Sequence, residues 1–491
     1  MSKKEVVDKK TPPTTLTDIN YFALDKKQLI LQEIRHEIKK KRLLFDENKE
    51  RFGLTEMTQL VKVKNTSEVK GYPFKATIKN HKKLENIALK LLPIETKYEK
   101  HEHPSNIEII VLKHLTDNIV NKNISPHITH YLGIQKINNK SRALKMLNLK
   151  RLEVEDKIKT HSYMLISEFL EGGSLDNWVF NTYENDNEIS DNQWKYIVFQ
   201  LVYTIAILQH HYRMMHNDFH YGNILIDTHI KPGGYFVYEI NNKTYYIPNT
   251  GIIPKLWDFE FCMSFSDKIT EMYPNKFIVG PYKYDKTLHK TLDVPTVDDL
   301  KNQNSSDTQN SDDLCTEDLN VPFNYNQVYD LHYFLTSLLD LYISQELFDF
   351  IIGLYPAELI PEDDYSSDSY SYTSNSHSSD SHASNSHASN SHNKTNSKSS
   401  NSHASNSKDS DSHSSLSTFS HSKSNKSSNI SLPSSNDSNL YLSNGRILNG
   451  VEEKFTLPKP MEILNNTFFE SFTTKPSDFD EKTALYFKAG F

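Results

Sequence analysis

The segment His216–Leu225 reads HNDFHYGNIL and directly follows an apolar, helix-like stretch that ends near His210. It sets Asp218 and Asn223 five positions apart on a predicted loop, and Asp258 follows Asn223 by 35 positions in the string LWDFEF. Magnesium-assisted phosphoryl transfer needs such oxygen donors: one carboxylate near the acceptor hydroxyl, and a carboxylate and an amide that hold the cation. These three side chains are therefore the candidate chemical centre of the chain.

The segment resembles the catalytic loop of protein kinases, in which an HRD triplet is followed by Asn five positions after the Asp, and LWDFEF resembles their DFG element. Upstream, IALK ends on Lys90 as the family's VAIK does, and Glu108 follows in the helix-like NIEIIVLKHL. The string YMLISEFLEGGSLDNWV, residues 163–179, is similar to the hinge strand, and Asp330 opens the apolar YDLHYFLTSLL as the family's loop-bracing Asp does. The resemblance covers residues 60–360 and a final helical piece, and the order of these strings carries it.

The resemblance implies a role for each matching position. Asp218 would orient the substrate hydroxyl and accept its proton, Asn223 and Asp258 would coordinate Mg²⁺, and Lys90 would hold the ATP phosphates with Glu108 as its partner. The other nucleotide-binding positions that it implies are Ala88 and Leu225 on the faces of adenine, main-chain groups of Glu168 and Leu170 at the adenine edge, and Gly71 in the loop over the phosphates.

Four positions depart from the family's pattern. The stretch over the phosphates, NTSEVKGYPFKATI, has Gly71 as its one glycine, which predicts weaker contacts between backbone amides and phosphate. Asn217 replaces the arginine that pairs with a phosphorylated activation loop, and His220 replaces a lysine near the γ-phosphate. Glu260 replaces the glycine of DFG, so we expect regulation to change more than chemistry.

Polar insertions separate the matching strings. The long gap between Asn223 and Asp258 contains KPGGYFVYEINNKTYYIPNTGIIPK, which predicts an extended β-hairpin, and residues 135–160 and 298–320 read as surface loops. This hairpin, the Asn-rich insertions and HNDxHxxN together resemble the protein kinases of giant DNA viruses of the mimivirus type.

The pattern of elements predicts an α+β fold with a β-rich lobe before a helical one, and the resemblance implies that this is a two-lobed, protein-kinase-like fold. Near the start, Leu29, Ile30, Ile34, Ile38 and Leu43 recur at helical spacing, and residues 366–439 consist mainly of Ser, Asn, His, Asp and Lys, which predicts disorder. The predicted boundaries are a disordered 1–20, a helical extension 21–55, a kinase-like domain 56–365 with lobes 56–168 and 172–365, the disordered insertion 366–439, and a helical segment 440–491 that completes the second lobe.

Composition excludes several classes of protein. The 491 residues carry 55 Lys and Arg against 63 Asp and Glu, a formal charge of −8, so the chain lacks the basic footprint of a nucleic-acid or anionic-membrane binder. With two cysteines, Cys262 and Cys315, a disulfide framework is not expected. No secretory signal or membrane span is apparent in the sequence. We predict a soluble protein of the cytoplasm, the host cytoplasm or the virion if it is viral.

The favoured function is an ATP-dependent serine/threonine protein kinase with Mg²⁺ as cofactor and a protein as substrate. One alternative is a catalytically weak or dead pseudokinase that acts as a scaffold, which the poor glycine loop favours. A further alternative is a small-molecule kinase of the aminoglycoside or choline type, which HYGN favours and the SEFLEGGSL string and Asp330 oppose. The sequence leaves the substrate, acceptance of Tyr, regulation and oligomeric state open.

Overall fold

The strands Tyr72–Asn80 and Lys83–Glu95 of the main sheet carry alternating buried apolar residues. This computed structural model describes residues 24–41, 45–46, 51–52, 56–59, 72–80, 83–95, 104–138, 158–185, 187–272, 284–285, 290–291, 325–360, 442–443, 445–447, 451 and 454–491. The strands are β1 Phe45–Asp46, β2 Arg51–Phe52, β3 Glu56–Gln59, β4 Tyr72–Asn80, β5 Lys83–Glu95, β6 Tyr131–Asn138, β7 Ile158–Glu168, β8 Met214–Met215, β9 Ile224–Asp227, β10 Tyr235–Ile240, β11 Lys243–Pro248, β12 Ile253–Leu256, β13 Met263–Ser264, β14 Tyr284–Asp285, β15 Lys290–Thr291, β16 Leu442–Ser443, β17 Arg446–Ile447 and β18 Leu485–Lys488.

Helices lie before the sheet, within it in sequence, and mostly beyond it. They are α1 Leu24–Lys41, α2 Pro104–Leu115, α3 Leu175–Glu184, α4 Asp191–Tyr212, α5 Tyr329–Ser337, α6 Gln345–Ile352 and α7 Pro460–Leu464. The described chain is thus α+β, rich in sheet in its N-terminal region and helical later, as predicted. No helix in the described part of the chain is both long and apolar enough to cross a bilayer.

The main sheet presents two different faces. Its strands pair antiparallel in the order β3-β4-β5-β7-β6. Leu89 and Leu91 of β5 pack in the apolar cluster that includes α1. Because side chains alternate along a strand, Lys90 projects from the opposite face. The burial pattern of β5 therefore decides on which side of the sheet a lysine-centred site can form.

Helix α1 covers the apolar face of this sheet. Ile30, Leu31, Ile34 and Ile38 are buried in the same cluster as the strand residues. Leu29 was expected on this apolar face, but it is 53% exposed, because a residue directly before Ile30 points away from the side shared by positions 30, 34 and 38. The rest of the helical pattern lies as predicted, except Leu43, which is outside the described residues.

Helix α4 leads into the segment HNDFHYGNIL. Ser190 caps its start by accepting a hydrogen bond from the Gln193 backbone N–H at 3.2 Å, and the helix ends at Tyr212, followed by Arg213 with a φ of 43°. A left-handed residue at this position turns the chain out of the helix. The short strands β8 and β9 then flank the segment on either side and pair with β13 and β12.

Other predicted segments are found only in part. The hairpin expected between Asn223 and Asp258 is present as β10 and β11. The expected surface loop at 135–160 is wrong at both ends, because 135–138 and 158–160 pair as strands of the sheet; the polar side chains that suggested a loop lie on ladder positions. Residues 1–20, 298–320 and 366–439, for which loops or disorder were predicted, lie outside the described residues.

The C-terminal segment packs on the helical part of the chain. Phe199 of α4 contacts the rings of Phe469 and Phe472, with centroids 5.5 and 5.6 Å away. Strand β18 adds in parallel to β10, so this segment contributes a strand as well as helical turns. The final residues therefore share the core that supports α4.

A buried group of four charges joins α1 to the end of the sheet. Lys27 of α1 contacts Asp227 and lies 2.9 Å from Glu168, while Lys255 lies 2.5 Å from Glu168 and 3.9 Å from Asp227. All four side chains are at most 3% exposed. Burial by itself would raise the pKa of Glu168, but Lys255 and Lys27 lower it to about 2. Two cations and two anions balance, which makes burial tolerable.

Replacing Lys27 by Met should disturb the charge balance of this buried group. The variant leaves a buried excess negative charge, so we expect the free energy of unfolding near pH 7 to fall by about 3–5 kcal/mol, measured by denaturant titration. Because the pKa of Glu168 is depressed in the folded state, its stabilisation is present above about pH 4.5 and lost as pH falls toward about 2. The penalty of the variant should therefore shrink as the pH falls from about 4.5 toward about 2, because the parent loses this stabilisation over that range.

The matched control is Lys39→Met on the exposed side of the same helix. It removes the same charge from the same element and should change stability by less than about 0.5 kcal/mol. Equal losses for both variants, or a penalty at Lys27 that does not change with pH, would contradict the stabilising role of the buried charges.

Candidate active site

The buried carboxylate of Asp330 holds the backbone of the loop after α4. Asp330, 1% exposed at the start of α5, accepts hydrogen bonds from the backbone N–H groups of His216 at 2.7 Å and Asn217 at 2.9 Å. The His216 ring also lies 3.0 Å from the carbonyl oxygen of Trp257. The bracing contact expected of Asp330 is confirmed, and it sets the backbone that carries Asp218.

Asp218 and Asn223 are in direct contact within this loop. The Asn223 amide nitrogen donates to the Asp218 carbonyl oxygen at 2.8 Å and to its carboxylate oxygen Oδ2 at 2.7 Å. Both bonds use the nitrogen of the amide, so they do not engage its oxygen, which is the atom that can ligate a cation. Burial alone would raise the pKa of Asp218, but His220 and Arg446 outweigh it and hold this pKa well below its usual range.

Lys90 joins the sheet to the LWDFEF segment. Its ammonium lies 2.9 Å from both carboxylate oxygens of Glu108 and 2.6 Å from Asp258. Glu108 is 2% exposed on α2, and Asp258 has a φ of 62°, a left-handed conformation that Asp tolerates better than most residues. The structure thus brings three of the predicted residues, from a strand, a helix and a loop, to one point.

Three carboxyl groups surround the single ammonium group of Lys90. Glu260 joins Glu108 and Asp258 in a group whose carboxylate oxygens lie within 4.8 Å of one another. Burial and the neighbouring Asp258 raise the pKa of Glu260 to about 8, against the lowering effect of Lys90. Burial also raises the pKa of Glu108, to about 7, because it outweighs the lowering effect of Lys90. Despite its burial, the Lys90 ammonium has a raised pKa because of Asp258 and Glu108.

The residues expected around adenine are positioned by strand pairing. Ala88 of β5 pairs with Ser167 of β7, and Leu225 forms an isolated bridge with Ser174. The Glu168 backbone N–H donates to the His130 carbonyl oxygen at 3.0 Å.

Leu170 and Gly71 were also expected to contact the nucleotide. Leu170 is buried, and its carbonyl oxygen accepts a hydrogen bond from the Gly173 N–H at 3.3 Å. Gly71 lies outside the described residues.

Sequence reasoning missed two charged residues of this site. Glu260 was expected to change regulation more than chemistry, and its position beside Glu108 and Asp258 was not predicted. Arg446 was not singled out, although its guanidinium contacts Asp218 from 228 positions away in sequence. The return of apolar residues around position 440 indicated that the chain folds again there, but no local pattern marks this arginine as part of a site.

Comparisons with known proteins find relatives that are named as serine/threonine kinases. No family model matches the chain. A protein of Acanthamoeba polyphaga mimivirus, named "Putative serine/threonine-protein kinase", is 24% identical over 283 residues, which is 52% of this chain and 52% of the relative. A "Probable serine/threonine-protein kinase" of Dictyostelium discoideum is 34% identical over 104 residues, which is 19% of this chain and 8% of the relative. The matches span about half the length of the first relative and less of the second. The resemblance to protein kinases of the mimivirus type is confirmed: the chain is similar to proteins named as serine/threonine kinases.

Proposed function

We propose that this chain is an ATP-dependent protein kinase that transfers the γ-phosphate of ATP to serine or threonine hydroxyls of proteins. The observation that carries the proposal is the position of the Lys90 ammonium, 2.9 Å from Glu108 and 2.6 Å from Asp258. A lysine held in this way is suited to gripping the phosphates of a nucleotide. The kinase names of both relatives support the same reaction class.

In this proposal each side chain has one task. Lys90 binds the α- and β-phosphates, and Glu108 orients its ammonium. Asp218 accepts the proton of the substrate hydroxyl while that oxygen bonds to the γ-phosphorus, and the bond from this phosphorus to the bridging oxygen breaks and releases ADP. Positioning and charge neutralisation supply most of the rate, since the protein forms no covalent bond.

The donor set near Asp258 fits magnesium. The Asn223 amide oxygen and the Asp258 carboxylate are hard oxygen ligands, and Asp258 lies in a group of carboxyl oxygens with Glu108 and Glu260. Mg²⁺ would be held by Asn223 and Asp258 and would supply positive charge that neutralises the phosphate groups. Glu260 is close enough to this group to contribute a further carboxylate oxygen.

The same proposal covers the domain organisation. Residues 56–365 and 440–491 form one two-lobed kinase-like domain, with 56–168 as the β-rich lobe and 172–365 as the helical lobe, preceded by the extension 21–55. The sheet order and the position of Lys90 between sheet and loop support this division. Adenine would bind between Ala88 and Leu225, against the main chain of Glu168 and Leu170.

The decisive experiment is incubation of the full chain with labelled ATP, Mg²⁺ and a generic protein acceptor. Asp218→Asn should reduce transfer by about 10²- to 10⁴-fold, because the base is lost, while nucleotide binding changes little. Asp267→Asn, which removes an exposed carboxylate on a later segment, is the control and should transfer like the parent. Labelled protein supports the proposal; a labelled small molecule or no label from the parent chain favours the aminoglycoside-type kinase or the scaffold instead.

Lys90→Met should also impair transfer. Losing the ammonium removes charge stabilisation of the phosphates, so we expect kcat/KM to fall by about 100-fold or more in the same assay.

Lys75→Met is the matched control for Lys90. Lys75 lies on β4, 3.3 Å from Glu171, with its ammonium 4.4 Å from the centroid of the Phe169 ring, so it has partners of its own. Its loss should leave kcat/KM within about threefold of the parent, a change worth less than 1 kcal/mol. If Lys75→Met abolished transfer and Lys90→Met did not, Lys75 would be the phosphate-binding lysine.

A further inference from the structure

Arg446 is held on several sides next to Asp218. One guanidinium nitrogen contacts the Asp218 carboxylate oxygen Oδ1, and the other contacts the Asn217 carbonyl oxygen and lies 3.2 Å from the Tyr329 hydroxyl. The guanidinium carbon lies 4.0 Å from the centroid of the Tyr333 ring. The side chain is 5% exposed. Its planar fork is thus set by hydrogen bonds at its edge and by an aromatic ring at its face.

These contacts set the orientation of the Asp218 carboxylate. Oxygen Oδ1 faces Arg446, and oxygen Oδ2 accepts from the Asn223 amide at 2.7 Å. Since each carboxylate oxygen has two lone pairs, one donor on each oxygen sets the plane of the group without using all its acceptor capacity. A lone pair therefore remains for a substrate hydroxyl.

The permanent positive charge at this loop comes from a distant segment. The loop itself offers Asn217 and His220 where the protein-kinase pattern has arginine and lysine, and the His220 ring nitrogen is 3.8 Å from Asp218. An imidazole is charged only when protonated, whereas a guanidinium is always charged. Arg446 supplies that charge at the carboxylate from 228 positions later in the chain.

The segment that carries Arg446 is part of the core. Strands β16 and β17 form a hairpin whose turn includes Gly445, with a φ of 73°. Ile447 and Val451 are fully buried, and the Thr336 hydroxyl lies 3.5 Å from the Gly445 carbonyl oxygen. The packing of its own segment therefore holds Arg446 beside the loop.

We infer that Arg446 is a positioning residue that holds the carboxylate of Asp218 in the orientation needed for phosphoryl transfer. The inference rests on the proposed kinase function. It means that the segment after residues 366–439 completes the active site of the domain that precedes them.

The test compares Arg446→Met and Arg446→Lys in the labelled-ATP assay. Loss of a charge-assisted hydrogen bond should lower kcat by about 10- to 100-fold in Arg446→Met, with KM for ATP within about twofold of the parent. Arg446→Lys keeps the charge and should recover part of kcat. In an Asp218→Asn background, Arg446→Met should cause no further loss, since the group that it positions is already removed.

Arg35→Met is the matched control. Arg35 also pairs with a carboxylate, Asp117 at 2.6 Å, and lies 5.1 Å from a tyrosine ring, Tyr131. It is not placed in the proposed site, so its loss should leave kcat and KM unchanged.

Each outcome separates this inference from the proposed function. A parent chain that labels no protein overturns the kinase proposal, and this inference with it. An active parent with an equally active or more active Arg446→Met variant overturns only the inference, as does a loss that adds fully to that of Asp218→Asn. Because Arg446→Met could also unfold the chain, melting temperatures are measured alongside. A folded Arg446→Lys variant with the same kcat as the parent would also overturn the inference.

Discussion

The contact between Lys90 and Asp258 is the interaction on which the rest of the site depends. Lys90 lies on a strand of the main sheet, and Asp258 follows the loop that the helical part supports, so a 2.6 Å contact between them ties the two parts together. Glu108 then holds the same ammonium from α2. A buried lysine is stable only with such partners, and this requirement brings strand, helix and loop to one point.

Charges are buried in groups at three places around this contact. Asp330 accepts two backbone N–H groups beneath the loop, Lys27 completes a balanced set with Glu168, and Arg446 faces Asp218. Each group connects segments that are far apart in sequence. Charges in contacts with good geometry cost less free energy to bury than unpaired charges. Removing one partner leaves a buried charge that nothing compensates. The loop is therefore held from several directions by contacts that are not interchangeable.

The position of Arg446 changes how the departures from the kinase pattern are understood. Asn217 and His220 suggest a loop with weak charge stabilisation when they are considered by themselves. Asn217, with a φ of 64°, instead offers its carbonyl oxygen to Arg446, and a guanidinium lies at the Asp218 carboxylate. A substitution within a motif can thus be accompanied by a charge from another segment of the chain.

The sequence by itself predicted the α+β order of elements and singled out Lys90, Glu108, Asp218, Asn223, Asp258 and Asp330, because these features follow from local periodicity and from motif spacing. It could not predict that 135–138 and 158–160 would pair as strands, since pairing depends on a partner strand and not on local polarity. The tertiary structure alone decided the contacts of Lys27, Glu260 and Arg446. A single charged residue has no periodic signal, and its partner is chosen by the packing of segments that lie up to 229 positions apart.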